Sequence, residues 1–144
     1  MLIRLGGILL VSQNTPQFKL SNRSKERRDG VDPRLIDISD LAIQITVIDF
    51  GIPRYGGKRT SLDQRELYNA GNSKCDGYKK RSKHQEGLAL DFYAFVGGQA
   101  SWNTEHLAMV AAAFLQAASI LGHKLRWGGL WKGFKDYPHV ELIG

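Results

Sequence analysis

Three stretches of the sequence predict an α+β fold, a small single domain with helices packed on a sheet. Leu88, Leu90 and Phe92 alternate with Ala89, Asp91 and Tyr93, the period-2 pattern of a strand with one buried face. Leu107, Val110, Phe114, Ala117, Ala118 and Leu121 recur at helical spacing before Gly122, as the apolar stripe of a core helix does. Asp32-Pro33 opens another helix, with Asp32 as N-cap and Pro33 in the first turn. A chain of 144 residues, 42% hydrophobic, forms one domain with a core that needs no staples.

The elements follow in order. Residues 1–17 read as an N-terminal extension that need not be ordered. Its apolar part, Leu5 to Val11, is interrupted by Gly6-Gly7 and is too short to span a membrane. A degenerate signal peptide and a simple upstream extension both remain open, and the absence of a convincing small-x-small cleavage site favours the second. Ser21 to Arg28 suits a short helix capped by Ser21 or Asn22 and ended by Asp29-Gly30. In the helix after Asp32, Leu35, Ile38, Ala42 and Ile45 share a face. A short strand is expected over Val47 to Phe50, then a loop over Pro53 to Gly57. Ser61-Leu62-Asp63-Gln64 has the Ser-x-x-Gln spacing of a capping box and opens a helix that runs to Gly71. Gly97-Gly98 is a turn, the long helix starts at Asn103 or Thr104, and Lys124 to Trp127 is a strand.

Chemistry concentrates in two places. His84 lies on the loop leading into the strand that carries Asp91, and Asp91 points away from the Leu/Phe face. An aspartate in such a strand is costly unless paired. Asp136-Tyr137-Pro138-His139-Val140-Glu141 supplies a second histidine at a strand start and a further carboxylate three residues before it. Two histidines and a carboxylate are a common ligand set for catalytic zinc, which keeps a position open for water. Asp136 then stands where a general base belongs. The plainer alternative is a hydrogen-bonded buried Asp91, an unrelated loop His84, and a Pro-His that closes the fold while Asp136 caps a turn. His106 and His123 have no partners at ligand spacing and read as boundary histidines. Cys75, the single cysteine, lies in a polar turn and reads as a bystander thiol.

Taken together, Ser82-x-His84-x-x-Gly87-x-Ala89-x-Asp91, Trp127-Gly128-Gly129 and Asp136-x-Pro138-His139-x-Glu141 resemble the VanY-type D-alanyl-D-alanine carboxypeptidase zinc peptidases. Within that family the chain is most similar to the phage L-alanyl-D-glutamate endopeptidases, which are endolysins. The similarity runs from about Phe18 to Leu142 and includes Phe18-Lys19-Leu20-Ser21, Gly57-Lys58-Arg59-Thr60 and Gln64. It implies a hedgehog/D-Ala-D-Ala peptidase-like domain over 18–144, its antiparallel sheet carrying one zinc ion on His84, Asp91 and His139. Asp136 would be the base and Arg59 would contact substrate and steady charge on the scissile carbonyl. Ser82, Glu141 and Gln64 would support the site from behind. Glu141, on the strand face of His139, could orient its imidazole. Trp127 and Trp131 either line the cleft or pack. Relatives usually carry Asp where this chain has Leu130, which leaves that residue's task unfilled here.

The resemblance implies hydrolysis of the stem peptide of peptidoglycan by a monomer made in the cytoplasm of a bacterial host and acting on the wall after release or export. A D,D- or L,D-carboxypeptidase and an inactive wall-binding relative are the alternatives. Net charge is +6 with a pI near 9.6, which suits a polyanionic partner. Nucleic acid is not expected, because the basic clusters lack interleaved aromatics and no helix-turn-helix or zinc-finger spacing occurs. Integral membrane association is not expected either. The basic run Lys79-Lys80-Arg81 abuts the site, where with Arg59 it would favour an acidic substrate.

Overall fold

The structure, a computed structural model, describes residues 17–144 and the backbone of two strands before them, β1 (Leu2–Leu5) and β2 (Ile8–Val11), which pair antiparallel. The remainder of the expected extension lies outside the described residues.

Helix α1 (Asn22–Arg27) is capped by Ser21, whose hydroxyl accepts from the Ser24 amide at 3.1 Å. Helix α2 (Pro33–Ile45) starts as the sequence predicts, with the Asp32 carboxylate accepting from the Arg34 amide at 2.9 Å. Strand β3 (Asp49–Gly51) begins two residues later than expected, and Val47 is exposed. Helix α3 (Ser61–Asn69) differs in its cap. Thr60, not Ser61, is the N-cap, and it exchanges hydrogen bonds with Asp63. Thr60 has the extended backbone a cap needs, and the shift by one residue releases Gln64 for the interior.

The strand predicted around Leu88 to Tyr93 is two strands. β4 (Ala89–Asp91) and β5 (Tyr93–Val96) meet at Phe92, whose amide donates to the Pro138 carbonyl at 2.8 Å. β5 pairs with β3 and, across the Gly97-Gly98 turn, with β6 (Gln99–Ser101). Both turn glycines have positive φ. Helix α4 (Thr104–Leu121) ends at Gly122 in the left-handed conformation. After it come β7 (Leu125–Trp127), a 3₁₀ turn (Gly128–Leu130) and β8 (His139–Leu142). A second three-stranded sheet runs β4-β8-β7, and both three-stranded sheets are antiparallel.

Helix α4 packs on α2, β5 and β7. By length and composition it could cross a membrane, but its Leu107, Val110, Phe114 and Ala117 are buried in the core. Phe114 touches Phe50 and Phe92 at ring-centroid distances of 5.1 and 5.2 Å, which ties both sheets to the helix. Leu90 and Val140 face this core. The register that pairs Asp91 with His139 and Ala89 with Glu141 turns these residues to the other face. Phe114→Ala should therefore cost about 3–5 kcal/mol in denaturant unfolding with an unchanged m-value.

Candidate active site and metal centre

His84, Asp91 and His139 converge. His84 Nε2 lies 3.1 Å from Asp91 Oδ1 and 3.2 Å from His139 Nδ1, and His139 Nδ1 lies 3.1 Å from the same Oδ1. Asp91 and His139 face each other by strand register, and His84 arrives from the preceding loop.

Each of the three is tied from behind. His84 Nδ1 donates to the Gly57 carbonyl at 3.0 Å, and its amide donates to Ser82 Oγ at 3.0 Å. His139 Nε2 donates to the buried Glu141 at 2.9 Å. Asp91 Oδ2 accepts from Arg59 Nη2 at 3.0 Å, leaving Oδ1 for the centre. With those protons assigned, two imidazole lone pairs and one carboxylate oxygen face one point. Three acceptors so close need a cation among them. Tetrahedral zinc, with bonds of about 2.0–2.1 Å, holds neighbouring ligand atoms about 3.3 Å apart. The residues fit such an ion in chemistry and in spacing.

The protonation balance agrees. Burial opposes charge on His139, but hydrogen bonds to Asp91 and Glu141, with the charges of Asp91 and Asp136, lift its pKa to about 9. Burial raises the pKa of Asp91 and of Glu141, but their partners outweigh it. His84 and His139 hold Asp91 well below the carboxylate range, and His139 with Arg126 brings Glu141 to about 2. Asp136 behaves oppositely. Burial, and then the charge of Asp91, raise its pKa. Its Oδ2 lies 3.8 Å from His139 Nδ1.

The remaining expected residues are placed as follows. Gln64 is fully buried, takes Arg59 Nη1 at 3.0 Å, and donates to Ser73 Oγ and the Cys75 carbonyl. Arg59 braces Asp91, and its Nε is held by the Tyr55 carbonyl at 2.7 Å. Trp127 packs against the core and donates to the Tyr137 carbonyl, whereas Trp131 lines the cleft with its ring 5.2 Å from that of His139. Leu130 is 71% exposed and is not among the residues lining the cleft, although Trp131 beside it is. His106 meets Ser101 Oγ at 2.7 Å and is not among the residues lining the cleft.

Sequence reasoning missed several contributors. Tyr55, Gly56 and Gly57 offer three successive carbonyls, to Arg59, to the Asp91 amide and to His84. A Cβ on Gly57 would fall on the Arg27 carbonyl, and one on Gly128 would fall on the Asp136 carbonyl. Gly128 is thus glycine so that the Asp136 segment can lie against it. Tyr55 has φ 63°, which costs a non-glycine residue about 1–2 kcal/mol. Gln85, buried, holds Ser82 and the Gly77 carbonyl. Arg126, paired with Glu141 by register, binds its Oε2 at 2.8 and 3.1 Å. Only that positional pairing, one strand away, could have signalled it.

The cluster opens onto a cleft of ≈ 780 Å³ whose lining includes Arg54, Lys80, Arg81, Ser82, Trp131 and Asp136. Among its lining residues, Lys74 Nζ lies 4.3 Å from the centroid of the Phe134 ring. An α+β domain with a His-Asp-His cluster at the floor of a cleft, beside a carboxylate of raised pKa, has the build of a metallopeptidase. The family described as phage L-alanyl-D-glutamate peptidase matches residues 16–143, and the chain belongs to it. The L-alanyl-D-glutamate peptidase of Escherichia phage T5 is 34% identical over 138 residues, covering 88% of this chain and 98% of that protein. The peptidoglycan L-alanyl-D-glutamate endopeptidase CwlK of Bacillus subtilis (strain 168) is 36% identical over 98 residues, 60% of this chain and 58% of that one. The crystal structure of the Serratia marcescens L-Ala D-Glu endopeptidase ChiX superposes with a TM-score of 0.76 at 34% identity, covering 92% of this chain and 96% of that one.

Removing the support behind one imidazole should register in metal affinity. Glu141→Ala is expected to weaken binding about 10- to 100-fold in competition with a chromophoric chelator.

Proposed function

We propose that this chain is a zinc-dependent peptidoglycan endopeptidase that hydrolyses the amide between L-alanine and D-glutamate in the stem peptide, as an endolysin of phage or prophage. The observation that carries the reading is the convergence of His84 Nε2, Asp91 Oδ1 and His139 Nδ1 on one point beside Asp136. His84, Asp91 and His139 would hold one zinc ion. Zinc there would supply Lewis acidity toward the scissile carbonyl and bring the pKa of water to about 7.

The chain's own residues supply the rest. Asp136 takes a proton from the attacking water and delivers it to the departing amine, and its raised pKa suits both transfers. Arg59 keeps Asp91 Oδ2 occupied, and N–H groups it has not committed can face charge developing on the carbonyl oxygen. Ser82 holds the His84 backbone amide, and Glu141 fixes the His139 imidazole. The exposed cations Lys80 and Arg81 on the rim suit a substrate with a carboxylate beside the scissile amide. The substrate lies in the cell wall, which the protein would reach after release or export.

Two experiments test this. Asp136→Ala should retain one zinc per chain and lose hydrolysis by ~10²–10⁴-fold, whereas His139→Ala should lose both. Zinc release by Asp136→Ala would show the roles to be assigned wrongly. Mass spectrometry of digested peptidoglycan should reveal new N-terminal D-glutamate and no free D-alanine. Freed D-alanine with the L-Ala–D-Glu bond whole would establish the carboxypeptidase alternative instead.

A further inference from the structure

Tyr55 occupies an anomalous place. Among the described residues it is the non-glycine residue with positive φ, at 63°. The two glycines that follow it are glycine for another reason, because a Cβ on Gly56 would crowd Pro53 and one on Gly57 would fall on Arg27. Glycine therefore stands where space is short and is withheld from the neighbouring position where the backbone favours it. The Tyr55 carbonyl, which holds Arg59, does not account for this, since any residue supplies a carbonyl. Core packing does not account for it either. The side chain is half-buried and outside the hydrophobic core. Tyr55 and Arg54 both line the cleft, with the exposed Arg54 guanidinium carbon 4.8 Å from the centroid of the Tyr55 ring. The loop beneath is fixed by the carbonyl bonds of Tyr55, Gly56 and Gly57, so the ring is presented from a firm base.

We propose that Arg54 and Tyr55 form a substrate subsite for the acidic residue adjoining the scissile amide. The ring lies against the extended peptide, and the guanidinium, oriented by stacking on that ring, meets the carboxylate. This rests on the proposed peptidase reading and makes Tyr55 a specificity-determining residue.

The test uses the full chain loaded with zinc and a soluble muropeptide containing the L-Ala–D-Glu amide, with the adjoining carboxylate free or converted to an amide. Tyr55→Asn, which tolerates the left-handed backbone, should melt no lower than wild type and bind zinc equally. Its KM should rise about tenfold with little change in kcat, the mark of lost ground-state contact. Arg54→Gln should abolish the wild-type preference for the free carboxylate. An unchanged KM in Tyr55→Asn, or a preference that survives Arg54→Gln, overturns the subsite. A Tyr55→Asn variant that loses melting temperature and zinc affinity together overturns it as well, because the ring would then be bracing the loop. If the wild type cuts another bond, the endopeptidase reading fails separately, and the two variants are compared on the peptide it does cut.

Discussion

Three hydrogen-bond acceptors within 3.1–3.2 Å of one another are the constraint on which this molecule turns. Left alone, such a group would separate or take up protons, because buried acceptors facing each other repel and are cut off from water. The fold prevents separation by engaging the far side of each ligand. Gly57 lies behind His84, Arg59 behind Asp91 and Glu141 behind His139, and each comes from a different segment of chain. A cation held by these residues would couple metal affinity to fold stability.

The bracing depends on backbone more than on side chains. The Tyr55–Gly57 loop contributes three carbonyls to three site residues, and it can do so because Gly57 lies directly against the backbone of α1 at Arg27. A helix far from the chemistry in sequence thereby sets the position of His84. The same device recurs at Gly128, where a missing side chain admits the backbone of Asp136. Each close approach converts the packing of an ordinary element into the placement of a polar atom at the cleft.

Much of this was legible in the sequence where side-chain pattern alone carries the signal. Strand alternation placed Asp91 on the face opposite Leu90, and Pro138 marked His139 as a strand start. Helices α2 and α4 were readable from their caps and stripes. The split of β4 from β5 at Phe92 was not, since apolar alternation continues unbroken through it while the backbone partners change from β8 to β3. The capping box was read one residue late, because Thr60 and Ser61 offer the same chemistry and only the backbone angles choose between them. Gln85, Arg126 and the Gly57 carbonyl stayed hidden for a common reason. Their roles are set by long-range register or by main-chain atoms, which side-chain spacing does not encode.

The site's three carboxylates show how one cleft separates its functions. Asp91 and Glu141 are each neutralised in advance, the first by two histidines and Arg59, the second by His139 and Arg126. Both are thereby committed to staying charged, which suits a ligand and the support behind one. Asp136 receives no such donor among the described residues and keeps only the 3.8 Å approach to His139. Burial and the nearby Asp91 push its pKa up while the other two are driven down. Groups of one chemical type whose environments force their affinities for protons apart divide acid–base work between them. In the proposed mechanism Asp136 is accordingly the carboxylate that would gain and lose a proton while the other two keep the cluster together.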